Sequence, residues 1–442
     1  MMNLLFFMPL VACLGGFLQA RDNQIVNTTI DPSRQLEIID SVTTALNDYY
    51  IFPDVASEIE KHLRKRQNNG GYLDFTSISA FAQKLTEEIR SVSKDAHLSV
   101  EFKPDEYFAA ETSDAHEEEQ LREWYDEQAY DNFGFEKVEH LSGNIGYVRM
   151  RGFYETDWSG PTAIAAMNFL AHCDAVIFDL RLTLGGQPSM IQLLASYFFD
   201  EPVQLSSFYV RKDKREEQFW THKDVSGPRM SNVKLYILTS RQTPSAAEAF
   251  AYDMKHLQRA IIIGETTSGA AHPAEEHWFS NLNIVVSIPY GRAINPITGT
   301  NWEGTGVEPH IPVPSEKALL VAHNEALKAL LHECTDEQRK MRMEWALRGI
   351  EAQIDPVTIP AQQMKAYTGT YGSRTVYIKE DEMFYQRQGR SAYRMVPMGN
   401  DLFMLEGLEV LRIQFPRDKA DVVREMIILS EQGPVATYGK EK

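Results

Sequence analysis

Between Gly143 and Pro314 short apolar runs alternate with runs of helical periodicity, and this alternation constrains the fold more than any other feature of the chain. Ile145 to Met150, Ala175 to Leu180, Lys234 to Leu238, Ala260 to Ile263 and Ile284 to Ile288 read as strands of the buried kind. Thr162 to His172, Pro188 to Phe199 and Ser245 to Gln258 repeat their apolar residues every three or four positions and read as helices. Strands that alternate with helices build a layered α/β domain.

The flanks follow other patterns. From Arg34 the apolar positions Leu36, Ile39, Val42 and Leu46, then Val55, Ile59 and Leu63, then Phe75, Ile78, Phe81, Leu85, Ile89 and Val92 predict three helices. The cluster Asn68-Asn69-Gly70-Gly71 turns the chain between the second and the third. His97 to Phe102 then alternates with period two, as a strand does. Glu316 to Ile350 is mostly helical, with a capping-box pattern at Thr335 and Gln338. Beyond Pro360, Val376 to Ile378, Met383 to Arg387, Leu402 to Leu405, Leu411 to Phe415 and Val422 to Leu429 are short strands of a separate all-β module. The expected organisation of the 442 residues is a signal segment at 1–20, a helical domain at 21–104, an acidic linker at 105–140, the α/β domain at 141–315, a helical connector at 316–360 and a small β domain at 361–442. No internal repeat or low-complexity tract interrupts it.

Charge narrows the choice of partners. Lys and Arg number 44 against 62 Asp and Glu, a formal net charge of −18, which repels a phosphate backbone or an anionic membrane and excludes nucleic acid as a partner. Residues 105–140 hold thirteen of the acids against only Arg122 and Lys137, which fits a solvated connector with a surface helix near Glu117 to Tyr130. The three cysteines, Cys13, Cys173 and Cys334, are too few for a disulfide framework or a cysteine metal site. The first twenty residues carry no charged side chain and are apolar from Leu4 to Leu18, too short for a comfortable membrane span. They read as a secretory signal cleaved after Ala20, or as a bacterial lipobox at Leu10 to Cys13 that would lipidate Cys13 and anchor the chain at the envelope.

Four local features bear on chemistry. Ser245 stands where a strand turns into a helix, beside N–H groups and a helix dipole able to stabilise a developing oxyanion. Ser245-Ala246-Ala247-Glu248 is also a capping box, and that structural role competes with the chemical one. Gly185-Gly186 follows the strand ending in Asp179-Leu180-Arg181, where a backbone can approach a ligand and point an N–H at it. Glu303 lies in the glycine-rich turn Asn301 to Val307, and His97 follows Asp95 at the start of a strand. His272, Glu275, Glu276 and His277 lack the HExxH spacing of a metallopeptidase, so no metal is expected, and His272 is expected at the surface or in a cleft.

Taken together, Asp95-Ala96-His97-Leu98, Gly143 to Tyr147, Asp179 to Gly186, Thr239-Ser240 with Thr243 to Glu248, Gly264 to Gly269 and Gly304 to Pro309 resemble the tail-specific, or C-terminal-processing, serine peptidases. The branch they resemble contains the core of tricorn protease and the repeats of interphotoreceptor retinoid-binding protein. The resemblance spans roughly Arg34 to Pro314 and implies an N-terminal helical cap, a crotonase-like ββα catalytic core and an appended β module. It also implies Ser245 as nucleophile, His97 as general base and Glu303 as the acid that orients the imidazole. The amides of Ala246 and of Gly185 or Gly186 would form the oxyanion hole. The lysine base of the larger branch is missing, since Ala270 stands in its place, and the serine that precedes the histidine in the tricorn core is Ala96 here. The implied enzyme takes peptide or protein substrates, needs no cofactor, and titrates through His97 near or above the ordinary imidazole value. The alternative the resemblance leaves open is a non-catalytic binder of lipid or retinoid-like ligands on the same fold.

Overall fold

The structure is a computed structural model that describes residues 30–104, 107 and 114–441, with side chains omitted at 114–120. The signal segment and Cys13 lie outside the described residues. Two compact units are present: the described chain up to Glu139 with Tyr147–His172 and Phe178–Ser315, and His140–Gly146 with Cys173–Ile177 and Glu316–Lys442.

The first unit opens with three helices, α1 (Pro32–Tyr49), α2 (Pro53–Asn68) and α3 (Ile78–Ser93). Each start is set locally. Asp31 accepts the Arg34 N–H ahead of Pro32, Pro53 opens α2 with its fixed φ, and Ser77 accepts the Ala80 N–H. Ile38, Ile39, Val42 and Leu46 of α1, Ala56, Ile59 and Leu63 of α2, and Phe81, Leu85 and Ile89 of α3 pack into one core. At about 1.5–3 kcal/mol for each large apolar side chain withdrawn from water, these faces hold the helices in place. Lys94 ends α3 in the left-handed region at φ 60°, and Asp95-Ala96-His97 carries the chain into strand β1 (Ser99–Phe102).

The chain then runs through α4 (Asp114–Tyr130), β2 (Phe135–Leu141), β3 (Ile145–Met150), α5 (Thr156–Leu170), β4 (Ala175–Asp179), α6 (Pro188–Ser196), β5 (Gln204–Val210), β6 (Arg215–Trp220), β7 (Lys234–Thr239), α7 (Ser245–His256) and β8 (Ala260–Gly264). It continues through β9 (Ala274–Phe279), β10 (Ile284–Pro289), β11 (Gly291–Ile294) and β12 (Ile311–Pro312). The six-stranded sheet has the order β12-β8-β7-β4-β3-β2, with β7, β8 and β12 parallel. Two antiparallel three-stranded sheets, β1-β10-β9 and β11-β5-β6, complete the set. β10 is buried along its whole length, and its Ile284, Val286 and Ile288 join the core of the three helices.

Six strands of this region, β2, β5, β6, β9, β11 and β12, escape the sequence pattern. β6 reads Arg-Glu-Glu-Gln-Phe-Trp, with no buried residue. It is an edge strand, laddered only to β5 within the sheet and tied at its end by Gln192 Nε2, which donates to Trp220 O at 2.9 Å, and such an edge leaves no apolar alternation to read. β9 and β11 are short and polar on one face in the same way.

The second unit carries α8 (Ala318–Glu333), α9 (Glu337–Ile354), α10 (Ala361–Tyr367) and eight strands, β13 (Gly369–Tyr371), β14 (Arg374–Lys379), β15 (Glu382–Arg387), β16 (Ala392–Pro397), β17 (Leu402–Leu405), β18 (Arg412–Gln414), β19 (Glu425–Ser430) and β20 (Gly433–Gly439). The cap of α9 is Asp336 rather than the expected Thr335: its carboxylate accepts the N–H groups of Gln338 and Arg339. All eight strands pair antiparallel with their sequence neighbours. The N–H of Glu441 donates to Thr370 O at 2.9 Å, so the chain end returns to β13 and makes the sheet barrel-like. Tyr367, Tyr371, Phe403, Phe415 and Ile413 are fully buried in its core.

Candidate active site

β4 and β7 are neighbours in the six-stranded sheet, and the loops that leave them are tied together. The Thr243 hydroxyl donates to Leu180 O at 2.8 Å, and the Ser240 hydroxyl donates to Arg181 O at 2.5 Å. At the start of the first loop Arg181 grips the buried Asp179 at 2.6 and 2.8 Å, and Tyr147 adds a hydrogen bond at 2.6 Å. Burial alone would raise the Asp179 carboxyl, but these partners prevail and hold it below the ordinary range. The loop positions are therefore fixed by a connected polar lattice rather than by one contact.

Ser245 opens α7 with φ +51°, a left-handed backbone that a residue with a Cβ adopts only when its surroundings impose it. The capping role expected as its alternative is not made: Pro244, not Ser245, stands at the cap position of α7, and the helix has no side-chain cap. Only the return half of the box forms: the Ser245 N–H donates to Glu248 Oε2 at 2.9 Å. The hydroxyl is thus left over, on a strained turn between a strand and a helix.

Glu248 is the anchor of this turn. It is fully buried and accepts five hydrogen bonds, from the N–H groups of Ser245, Gly269 and Ala270 and the hydroxyls of Thr267 and Ser268. Burial pushes its carboxyl above the ordinary range while these donors pull against that shift.

Gly185 lies against the serine, and a Cβ built on it would stand 3.0 Å from Ser245 Cβ. Gly186, at φ +135°, admits no side chain, because a Cβ there would be 2.1 Å from Phe153 O. Among the described residues the N–H groups of Gly185, Gly186 and Ala246 have no acceptor within the chain. Three unused donors therefore flank a free hydroxyl.

The second group of residues comes from the turn before β1, the stretch before β9 and the turn after β11. One ligating atom from each of Asp95, His97 and Glu303 can be chosen so that all three lie within 4.8 Å of one another. Asp95 Oδ1 accepts the His97 N–H at 3.0 Å and stands 3.9 Å from His97 Nδ1. Asp95 Oδ2 faces the Tyr50 hydroxyl at 3.2 Å and His272 Nδ1 at 2.9 Å. Glu303 Oε2 accepts the N–H of Ala271 at 2.6 Å and of His272 at 3.2 Å, and lies 3.5 Å from His272 Nδ1. His272, expected at the surface or in a cleft, is 5% exposed, lines the cavity beside these residues and belongs to this cluster. Its residue type was the one signal available beforehand, because its partner Asp95 is 177 positions away.

Two buried atoms in the cluster have no partner among the described residues: His97 Nδ1 and Glu303 Oε1. Burial sets the electrostatics. It lowers the His97 imidazole to about 4, against the attraction of Asp95. This reverses the expectation of an ordinary or raised value, because an imidazole this deeply buried loses more hydration as a cation than Asp95 returns. Burial, together with the charge of Asp95, raises the Glu303 carboxyl to about 6. For Asp95 burial acts upward as well, but the His272 hydrogen bond and the charges of His272 and His97 outweigh it and hold the carboxyl low. A first-row metal at 2.0–2.2 Å from each ligand would need these atoms drawn to roughly 3.3 Å of one another, closer than they stand.

No hydrogen bond joins Ser245 to His97, so the structure assembles the expected residues as two groups. One loop connects them. Gly269 and Ala270 donate to Glu248 beneath Ser245, and Ala271 and His272 donate to Glu303. The turn that bears Glu303 is pinned to the same loop by Gly304 N–H to Gly269 O at 2.9 Å and Trp302 Nε1 to Ala270 O at 3.1 Å. Gly306 is required at that crossing, since a Cβ on it would be 2.4 Å from Thr267 O.

A strained strand-to-helix serine flanked by free amides, joined through one loop to a histidine–carboxylate cluster, is the equipment of a serine-type peptidase. The sequence pattern of peptidase family S41 matches residues 144–313, and that of the N-terminal domain of this family in eukaryotic interphotoreceptor retinoid-binding protein matches residues 31–135. The chain belongs to this family and is a serine-type peptidase. Similar solved structures include the photosystem II D1 C-terminal processing protease, at 16% identity over 64% of this chain and 94% of that one with a TM-score of 0.43. Mature CPAF matches at 12% identity over 68% and 97%, with a TM-score of 0.46. Tricorn protease matches at 14% identity over 68% of this chain and 37% of its own, with a TM-score of 0.44.

Proposed function

We propose that this peptidase hydrolyses peptide bonds through an acyl-enzyme, with Ser245 as nucleophile, His97 as general base and Glu303 as the orienting acid. The free Ser245 hydroxyl on its strained turn carries this reading. A serine hydroxyl is inert near neutral pH unless a neutral imidazole takes its proton. With its value lowered to about 4, His97 is neutral there. Ser245 Oγ attacks the carbonyl carbon of the substrate as its proton passes to His97 Nε2. The negative charge that develops on the carbonyl oxygen meets the N–H groups of Ala246 and of Gly185 or Gly186. His97 then gives its proton to the leaving amine, and the C–N bond breaks. Water attacks the ester by the same route, returning Ser245 and releasing the acid. Glu303 Oε1 and His97 Nδ1 are the two open atoms of the cluster, and the triad forms when they close on each other.

The competing lipid-binding reading finds little support in the cavity of about 320 Å³ beside this cluster. Lys94, Asp95, His272, Arg292, Asn301 and Glu303 line it, and such a wall does not suit an apolar ligand. Export also belongs to the proposal, through a cleaved signal or a lipid anchor at Cys13, and it rests on the charge-free apolar start of the sequence. Among the described residues no helix is long and apolar enough to cross a membrane.

Labelling with a fluorophosphonate tests the nucleophile. The wild-type protein takes up one label on the peptide containing Ser245, and Ser245→Ala takes up none while its Tm stays within a few degrees. Labelling that persists in Ser245→Ala refutes the assignment.

A further inference from the structure

Two buried side chains beside the proposed triad have no part in it as described. Asp95 is 2% exposed and His272 5%. His272 Nδ1 faces both carboxylates, at 2.9 Å from Asp95 Oδ2 and 3.5 Å from Glu303 Oε2. Its own backbone N–H holds the same Glu303 oxygen at 3.2 Å. Asp95 in turn divides its oxygens, one toward the His97 backbone and ring and the other toward His272 and Tyr50. A chain of contacts therefore runs from His97 through Asp95 and His272 to Glu303. Its spacing matters, because two carboxylates this close repel each other strongly in a medium of low dielectric.

We propose that Asp95 and His272 are positioning residues of this site: Asp95 supplies the fixed negative charge beside His97, and His272 clamps the two carboxylates so that Glu303 Oε1 stays aimed at the imidazole. The inference rests on the Ser245, His97 and Glu303 reading above. The clamp explains why Glu303 offers one anchored oxygen and one open one. Oε2 is taken by two N–H groups and the His272 ring edge, leaving Oε1 free for His97. The charged and titratable groups that face the pair are Tyr50 after α1, Arg90 on α3, Lys94 at its end, His97 before β1, Arg292 on β11 and Glu303 after β11.

The two residues act on the same groups with opposite signs. The charge of Asp95 raises both His97 and Glu303, whereas His272 lowers both. Removing Asp95 therefore moves the acid limb of the acylation rate to lower pH, and removing His272 moves it to higher pH. A merely structural role gives no such opposition.

The experiment is the rate at which a fluorophosphonate phosphonylates Ser245 with loss of fluoride, read in place of acylation, against pH for the wild type, Asp95→Asn and His272→Ala, with Ser245→Ala as the blank. Each variant is expected to react about 10 to 100-fold more slowly, as loss of a supporting hydrogen-bond partner does at other sites, with its limb displaced in the stated direction. The cavity beside His272 opens a route for chemical rescue. Imidazole at tens of millimolar restores His272→Ala several-fold and leaves Asp95→Asn unchanged. Should His272→Ala fold poorly, His272→Gln keeps a donor for Asp95 and shows the same limb shift. A labelling rate within threefold of wild type in both variants, with unmoved limbs, overturns the proposal while a blank Ser245→Ala leaves the nucleophile standing. Labelling of Ser245→Ala overturns the underlying site instead.

Discussion

The two halves of the site are built on opposite plans. Around Ser245 the polar groups are paired: Glu248 accepts five hydrogen bonds, and the loops after β4 and β7 are laced together by the hydroxyls of Ser240 and Thr243. Around His97 the pairing stops short, leaving an imidazole nitrogen and a carboxylate oxygen buried without partners among the described residues. The difference follows from what each half does. The serine must be held on a strained backbone, and strain persists only where neighbours over-determine it. The base and acid must exchange a proton, which requires a hydrogen-bond valence not already spent on the scaffold.

The strongest way to break this comparison is to empty the cradle. Glu248→Ala leaves the N–H groups of Ser245, Gly269 and Ala270 and the Thr267 hydroxyl without an acceptor, while the Ser268 hydroxyl keeps Thr243 O, and it loosens the loop that also carries the Glu303 contacts. At about 1–3 kcal/mol for each buried polar group left unsatisfied, several such losses take up most of a typical domain's stability. The expected outcome is a protein that is unfolded or melts well over ten degrees lower, and is unlabelled by fluorophosphonate. Glu248→Gln retains acceptors for some of the donors but places an NH₂ against others, so an intermediate loss is expected. Thermal melts of the two variants check the order, and a Glu248→Ala protein of normal Tm contradicts the account of the turn.

Glu303→Gln sharpens the other half. The Glu303 carboxyl is raised to about 6, and His97, lowered to about 4, is already neutral at that pH. Turnover that needs an ionised Glu303 therefore rises through about pH 6, and in Glu303→Gln the limb falls to about 4 with a plateau lower by orders of magnitude. Stability moves the other way. A carboxyl raised in the folded state above its ordinary 4.5 holds its proton more tightly when folded, so stability is highest below about 4.5 and declines as pH rises to about 6. The side chain is 15% exposed, and a carboxyl raised from 4.5 to about 6 corresponds to about 2 kcal/mol. Gln keeps an acceptor for the amides of Ala271 and His272 and stays neutral. Above pH 6 its Tm should exceed that of the wild type by a few degrees, and the gap should close at pH 4. A less active and more stable variant marks a group kept charged for its chemistry.

How much of this was legible beforehand depended on the distance over which the information is written. β3, β4, β7, β8 and β10 stand where continuous apolar runs placed them, because strands buried on both faces write their burial into every residue. The three N-terminal helices show as clearly in their periodic faces. β6 does not, since its charged residues report an edge and not a core. The turn of Ser245 was visible as a strand–helix junction, but the choice between a capping and a free hydroxyl was not; that depended on a φ of +51° imposed by neighbours from 267 to 270. Asp95 with His272 was the least legible pair. Asp95 stood only as a neighbour in the motif of His97, His272 had no local pattern, and the pairing of β1 with β10 and of β10 with β9 brings residues so distant in sequence side by side.

The smallest test removes one strand of the cradle and leaves the rest. The Ser268 hydroxyl reaches Glu248 Oε2 at 3.2 Å and Thr243 O at 3.1 Å, the longest side-chain contacts in that lattice. Oε2 keeps the Ser245 and Ala270 amides when the hydroxyl is gone, and Thr243 O keeps the Ser268 N–H at 3.1 Å. Each acceptor therefore remains satisfied, and Ser268→Ala should cost about 1 kcal/mol, the net worth of an ordinary hydrogen bond. Its acylation rate should stay within a few-fold of wild type and the acid limb should not move, because the change lies on the Glu248 side of the shared loop. If Ser268→Ala instead moves the limb, the loop transmits strain from the nucleophile's anchor to Glu303, and the two halves are one mechanical unit rather than two.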